Sequence, residues 1–295
     1  VVRRLPSGFP HSPTASDREQ KHERNRKNRP DSHQGNGRCE NIMQGSESDI
    51  SGGLSGVRPT VPRPTGLVVP SLAPFRRRPP MCTLWIARHA NRQDFADPDW
   101  AKTADRPHDP GLSPDGVEQA RQLARRVTQL DVDRILTSPF LRTVQTAHPA
   151  AEALDRPVYL EPGLGEWQND DWFDAPAEPL SSPLLSDRFD PVRTTHEPCR
   201  TPEYPESRHA SLARIGATGQ CLADRFPNET LLLVGHGMTV LGVLHGLIES
   251  DVPDPGCPLA SLTEVVRRNG TWKIRTRNDT SHLENGTHAA DRLVY

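Results

Sequence analysis

Four short stretches concentrate reactive side chains, and each follows an apolar run. Arg88-His89-Ala90-Asn91-Arg92-Gln93-Asp94 follows CTLWIA, and Ser138-Pro139-Phe140-Leu141-Arg142 follows DRILT. Glu161-Pro162-Gly163-Leu164-Gly165-Glu166 follows the run ending at Leu160, and Gly235-His236-Gly237 follows TLLLV. Singly, each has a plain structural reading. An Arg-His pair is common, Gly-His-Gly can be a helix-capping turn, Ser-Pro-x-x-Arg can start a helix, and Glu166 can be a solvated loop acid. Their joint placement after successive strands makes the plain readings poor.

Arginine offers a planar, permanently charged fork that matches phosphate oxygens. Histidine attacks phosphorus only while its imidazole is neutral, and surrounding cations lower its pKa and help keep it so. A carboxylate can protonate a leaving oxygen and then take a proton from water. The set reads as phosphoryl transfer through a phosphohistidine, without a metal. No GxSxG turn or Walker loop is present, which disfavours a serine hydrolase or a P-loop NTPase.

The elements that must position these residues follow from patterning. Cys82–Ala87 reads as a buried parallel strand, and 88–112 as a polar loop. Ser113-Pro114-Asp115 opens a helix, with Ser as cap, Pro at the first position and an acid in the first turn. That helix runs to about Gln129, with Val117, Ala120, Leu123 and Val127 on one face. Asp133–Thr137 is a strand, Phe140–Leu154 a helix, and Pro157–Leu160 a third strand. Residues 168–205 hold seven prolines and little periodicity, as in a long insertion of the kind that serves as a lid or substrate loop. A helix over Glu206–Arg225, a strand over Thr230–Val234 and a helix over Met238–Ile248 come next. Leu259–Val266 and Thr271–Thr276 then flank Asn269-Gly270, a hairpin signal. The alternation predicts right-handed crossovers on a parallel sheet. In such a sheet ligands bind beyond the carboxyl ends of the strands, and two of the four loops feed helix N-termini that favour anions.

Composition divides the chain at Met81. The 295 residues carry a net charge of -2, but 1–80 hold 14 basic and 7 acidic residues, whereas 81–295 hold 22 and 31. The near-neutral total argues against a dedicated nucleic-acid binder. The first segment has 11 of the 30 prolines, no Trp and no Tyr, and so is expected to be disordered. Lys21–Arg29 and Arg76-Arg77-Arg78 invite a nucleic-acid or membrane-surface reading, but charge runs are usually just solvated. Val1 rather than Met opens the chain and an apolar strand follows Met81, so translation starting at Met81 is the alternative expectation. The five Cys show no CxxC or CxxH spacing, which argues against a zinc site or a disulfide scaffold and fits a reducing, cytoplasmic compartment. No apolar run approaches ~18 residues, so no membrane span is expected.

At these motifs the chain resembles the histidine phosphatase superfamily, the phosphoglycerate-mutase-like fold. Arg88-His89-Ala90 matches the RHG signature at the nucleophile, with Ala for Gly. Arg142 in SPFLRTVQTA matches the second phosphate-binding Arg, Gly235-His236 the second histidine motif, and Glu166 in EPGLGEW the proton donor. The RHxxRxD variant and EPGLGEW look closest to the branch with the suppressor-of-T-cell-receptor-signalling phosphatases and ecdysteroid-phosphate phosphatase. In that branch the Arg at the position of Arg92 also binds phosphate. Mutases usually carry an acid, then Ser/Thr and Asn, after RHG; Asn91 and Arg92 stand here instead, which counts against a mutase. Ala90 adds a methyl beside the nucleophile that is tolerated if its φ is negative.

The resemblance implies His89, Glu166 and His236 as catalytic residues, Arg88, Arg92, Arg142 and His236 as phosphate ligands, and no metal or cofactor. The expected architecture is a three-layer α/β/α domain over 81–295, with a mostly parallel sheet and a long irregular insertion, behind a basic Pro-rich segment 1–80. The expected activity is phosphomonoester hydrolysis. The alternatives are a phosphoglycerate-mutase-type phosphotransferase, a catalytically idle phospho-ligand-binding module, or a nucleic-acid binder using the basic tail. The expected partner is a small phosphomonoester or a phosphopeptide, with a homodimer left open and no membrane. Trp172, Phe173 and Phe189 are expected to shape the pocket, and Asp170, Asp171 and Asp174 weigh against highly anionic substrates.

Overall fold

In the computed structural model of the chain, which describes residues 81–248, 252 and 256–284, seven strands join in one sheet of order β4-β3-β2-β5-β1-β6-β7. The strands are β1 (Cys82–Arg88), β2 (Arg134–Thr137), β3 (Val158–Leu160), β4 (Val192–Arg193), β5 (Thr230–Gly235), β6 (Leu262–Arg268) and β7 (Thr271–Asp279). The helices are α1 (Gln93–Ala96), α2 (Pro114–Val127), α3 (Leu141–Leu154), α4 (Ser182–Arg188), α5 (Arg208–Arg225) and α6 (Gly237–Leu247). The expectations for 1–80 and for Cys39 lie outside the described residues.

Strands β4, β3, β2, β5 and β1 run parallel, and β6 and β7 add an antiparallel edge. Strand side chains alternate faces, and both faces are apolar. Leu84, Ile86, Leu231 and Leu233 meet Ile215 and Leu222 of α5 and Val243 and Leu244 of α6. Trp85, Ala87, Leu232 and Val234 meet Leu123 and Val127 of α2 and Val144 and Ala147 of α3. This is the expected three-layer arrangement.

Local signals act as read. The Ser113 side chain accepts from the Gly116 N–H at 3.1 Å and Pro114 takes the first helical position. Asn269 and Gly270 both have positive φ, 53° and 82°, as the two-residue hairpin turn requires. The insertion is less irregular than its prolines suggest, since it contains α4 and the two-residue strand β4, which pairs with β3. The reading against disulfides needs a correction. Cys199 and Cys221 are bonded, with Cα atoms 6.2 Å apart, a loop residue and a residue of α5 that only folding brings together. Cys82 and Cys257 are buried free thiols. No helix among the described residues is long and apolar enough to cross a membrane.

The crossing of α5 and α6 sets the site, because the N-terminus of α6 carries His236. The helices touch through glycines, and a Cβ on Gly216 would lie 2.9 Å from the Gly246 Cα and 3.0 Å from the Gly242 carbonyl oxygen. Gly216→Val should therefore lower stability by about 1–3 kcal/mol through overpacking, read as a shift in the urea midpoint.

Candidate active site

The register of the sheet carries the motifs to one level. Beyond the strand ends, the His89 N–H donates to the Gly235 carbonyl at 2.8 Å, the Ser138 N–H to Val234 at 2.9 Å, and the Glu161 N–H to Thr137 at 2.8 Å. Four loops thus leave the sheet side by side.

His89 is fully buried. Its Nδ1 donates to the Ala90 carbonyl at 2.8 Å, which leaves the lone pair on Nε2, and Nε2 has no hydrogen-bond partner. Burial holds the His89 pKa well below the ordinary value near 6.5, and Arg142, Arg88 and Arg92 press it lower still. Ala90 is absent from the residues with positive φ, so its methyl is not strained. It packs with Leu112, Ala120 and Ala260, and the Ala90 N–H donates to Thr146 Oγ1 at 3.0 Å.

His236 lies beside it, with ring centroids 5.4 Å apart. Arg142 Nη2 donates to His236 Nδ1 at 3.3 Å, so the ring proton sits on Nε2 and points to Ser138 Oγ at 2.9 Å. Burial again lowers the pKa well below the usual value, followed by Arg142 and the other cations. Glu166 Oε2 approaches His236 Nδ1 to 3.3 Å and Arg142 Nη2 to 3.7 Å, while Oε1 accepts from the Trp167 N–H at 3.1 Å.

Arg88 and Arg142 are each 1% exposed. Arg88 donates to the Cys257 carbonyl. Arg142 occupies the first turn of α3, at the positive end of the helix dipole, which adds to its pull on an anion. Arg92 reaches the same cavity, but its fork grips Asp94, with Nε 2.9 Å from Oδ1, and stacks over Phe95 at 4.1 Å. The structure thus brings all six predicted residues together, with the charge of Arg92 already shared.

One donor atom each from His89, Glu166 and His236 lie within 4.8 Å of one another, close enough to enclose a cation. The three arginines that oppose protonation of the imidazoles oppose such an ion for the same reason.

A cavity of about 380 Å³ opens from these groups, and its lining combines Arg142 and Glu166 with Phe95, Trp172 and Phe173. Phe189 needs a correction. It follows α4, its ring meets His148 of α3 at 5.3 Å, and it joins the apolar layer on that face instead of the pocket. A larger groove of about 680 Å³ between α2 and α3 holds none of the six residues.

Sequence reasoning gave Ser138 no role and passed over Asp109 and Thr239. Thr239 Oγ1 accepts from the His236 N–H and donates to the Leu164 carbonyl, both at 2.8 Å, so it bridges two motifs. Asp109 accepts from the Leu141 N–H at 2.7 Å and flanks Arg142 at 3.9 Å. Its only signal was an acid in a loop already rich in acids.

The model of the family described as histidine phosphatase superfamily (branch 1) matches residues 84–280. The chain is 31% identical over 186 residues to the transcription factor tau 55 kDa subunit of Saccharomyces cerevisiae; this covers 58% of the chain and 42% of that subunit, so less than half of the subunit's length is spanned. It is 28% identical to the probable phosphoglycerate mutase GpmB of Cronobacter sakazakii, over 69% of the chain and 96% of that protein. The crystal structure of the ecdysone phosphate phosphatase from Bombix mori superposes with a TM-score of 0.55 at 17% identity, covering 66% of the chain and 92% of that structure, a likeness of fold.

The two depressed imidazoles bear on stability. Folded, they stay neutral at a pH where unfolded histidines already bind protons, so acid favours the unfolded chain. Urea stability should be level above about pH 7 and fall as pH drops through the unfolded value near 6.5, tending toward ~1.4 kcal/mol per pH unit for each imidazole. The double variant His89→Asn/His236→Asn should flatten that slope.

Proposed function

The chain belongs to the histidine phosphatase superfamily (branch 1), and from that membership we propose that it hydrolyses phosphomonoesters through a phosphohistidine on His89, without a metal. The observation that carries this reading is the buried, neutral His89 whose unpartnered Nε2 shares a chamber with Arg88, Arg142, Glu166 and His236.

In the first step the Nε2 lone pair attacks phosphorus in line. The bond from phosphorus to the alcohol oxygen breaks as Glu166 protonates that oxygen. In the second step the Glu166 carboxylate takes a proton from water, whose oxygen attacks phospho-His89. The N–P bond breaks, phosphate leaves, and Glu166 is protonated again. Arg88, Arg92, Arg142 and His236 stabilise the charge on the phosphoryl oxygens, a contribution that is large where water is excluded.

The alcohol part of the substrate is read from the cavity. Phe95, Trp172 and Phe173 offer apolar faces, and Asp94 offsets Arg92, so no surplus cation awaits a second acidic group. An apolar or aromatic phosphomonoester, free or in a peptide, fits better than a highly anionic one. This also weighs against a mutase, which phosphate release rather than transfer would separate. The match to a transcription factor subunit favours a second reading, a part in a transcription assembly. The complete set of six site residues supports turnover instead. The reducing, cytoplasmic setting expected from cysteines read as unpaired loses that support to the Cys199–Cys221 bond, because such bonds persist chiefly in oxidising compartments.

Steady-state assays should show hydrolysis that EDTA leaves unchanged and an acid-labile phosphoenzyme after quenching. His89→Ala should abolish both, and a His89→Ala chain with full activity would sink the reading. Glu166→Gln should cut kcat/KM by about 10²–10⁴-fold on an alkyl phosphate. Trp172→Ala should raise KM for an aryl phosphate about tenfold while leaving that for a small alkyl phosphate within about twofold, the scale of one lost apolar contact of 1–2 kcal/mol.

A further inference from the structure

Glu166 differs from the other site residues in how it is held. His89 extends β1, Arg142 lies in the first turn of α3, and His236 caps α6. Glu166 follows a short 3₁₀ turn, Pro162–Leu164, and stands on irregular chain. Its place depends on what binds the main chain around it.

Arg214 of α5 does so. Its Nη1 donates to the Gly163 carbonyl at 2.8 Å and to the Gly165 carbonyl at 3.3 Å, and its Nη2 to the Glu166 carbonyl at 3.3 Å. Thr239 takes the Leu164 carbonyl between them, so the four consecutive carbonyls 163–166 are all bound by side chains of α5 and α6. Glu206 fixes the guanidinium in turn, bidentate, at 2.6 Å to Nε and 2.8 Å to Nη2. Glu206 also grips the chain after Glu166: its carbonyl accepts from the Trp167 indole N–H at 2.8 Å, and its own N–H donates to the Gln168 carbonyl at 2.8 Å. Both Arg214 and Glu206 are 8% exposed. A buried ion pair is weak support for stability, because desolvation offsets much of its attraction. Its geometry, a planar fork aimed at three carbonyls of one turn, is better matched to fixing a position.

We propose that Arg214, held by Glu206, is a positioning residue for Glu166: it sets the main chain from which the proton donor reaches the leaving oxygen. The proposal rests on the hydrolase reading. Proton transfer demands hydrogen-bond reach, and a misplacement of about 1 Å can cost ~10²-fold.

The test compares leaving groups. Arg214→Met should lower kcat/KM about 10²-fold on an alkyl phosphate, whose alkoxide needs a proton, and less than about threefold on p-nitrophenyl phosphate, whose phenolate leaves without one. Inhibition by inorganic phosphate should hold within about twofold, because Arg88 and Arg142 are untouched. Glu166→Gln should show the same split, and adding Arg214→Met to it should cost nothing more. If Arg214→Met does not fold, Glu206→Gln, which keeps an acceptor for Arg214, should give the same split with a smaller amplitude. Equal losses on both substrates, or no loss on either, would overturn the proposal. Hydrogen exchange at 163–168 should quicken in either variant with little change elsewhere, and unchanged exchange would also overturn it. A wild-type chain inactive on both substrates would overturn the hydrolase reading alone, and exchange would still decide whether Arg214 holds the turn.

Discussion

Arg88 and Arg142 are buried to within 1% of their surface, and a guanidinium out of water persists only where fixed acceptors face it. The Cys257 carbonyl faces Arg88, and Asp109 and Glu166 flank Arg142. These cations in turn bear on the imidazoles between them. Burial and charge together hold His89 and His236 neutral, and neutrality leaves Nε2 of His89 with a usable lone pair. The same field that opposes a proton on the histidines favours an anion beside them. Neutral imidazoles and a chamber that favours an anion are therefore one electrostatic arrangement.

That arrangement needs residues distant in sequence at one level in space, and the strand order supplies it. The chain leaves β1, passes over the position of β5 to lay down β2, β3 and β4, and returns to place β5 between β2 and β1. Arg88 pairs with Gly235, and Thr137 with both Val234 and Leu160, so the carboxyl ends of four parallel strands coincide. Both faces of β5 are apolar, so its register is set at its ends, where the Thr230 N–H donates to Asp133 Oδ2 at 2.8 Å and the Gly235 carbonyl accepts from the His89 N–H at 2.8 Å.

What could be read in the sequence was whatever depends on short spacings. CTLWIA and TLLLV are too apolar for anything but buried strands, Ser113-Pro114 is a local helix start, and Asn269-Gly270 is a local turn. Each residue just after a strand then inherits its place from the topology. What could not be read depends on contacts across the fold. Cys199 and Cys221 carry no mutual signal until α5 packs beside the loop 194–203. Phe189 and Phe173 look alike on either side of the insertion, yet α4 turns one toward α3 and leaves the other on the cavity. Arg214 reads as a polar break in the apolar stripe of a helix, and only the turn 163–166 arriving above it gives that position a purpose.

Asp109 shows how far such a contact extends. Its side chain is fully buried, and its two oxygens accept from the Leu141 N–H at 2.7 Å and the Leu180 N–H at 3.2 Å while also pairing with Arg106. One carboxylate thus ties the loop after β1, the start of α3 and the insertion into a single joint. The neighbouring His108 ring meets Phe173 at 5.0 Å, so the joint also carries part of the cavity wall. The aromatic wall of the cavity and the helix turn that carries Arg142 share an anchor. Trp172 and Phe173 contribute side chains to that wall from irregular chain and make no ladder hydrogen bonds. The backbone beneath them is held separately, by the Tyr204 hydroxyl donating to the Phe173 carbonyl at 2.6 Å, while the Leu180 N–H ties the next part of the insertion to Asp109 and, through it, to the first turn of α3 that carries Arg142.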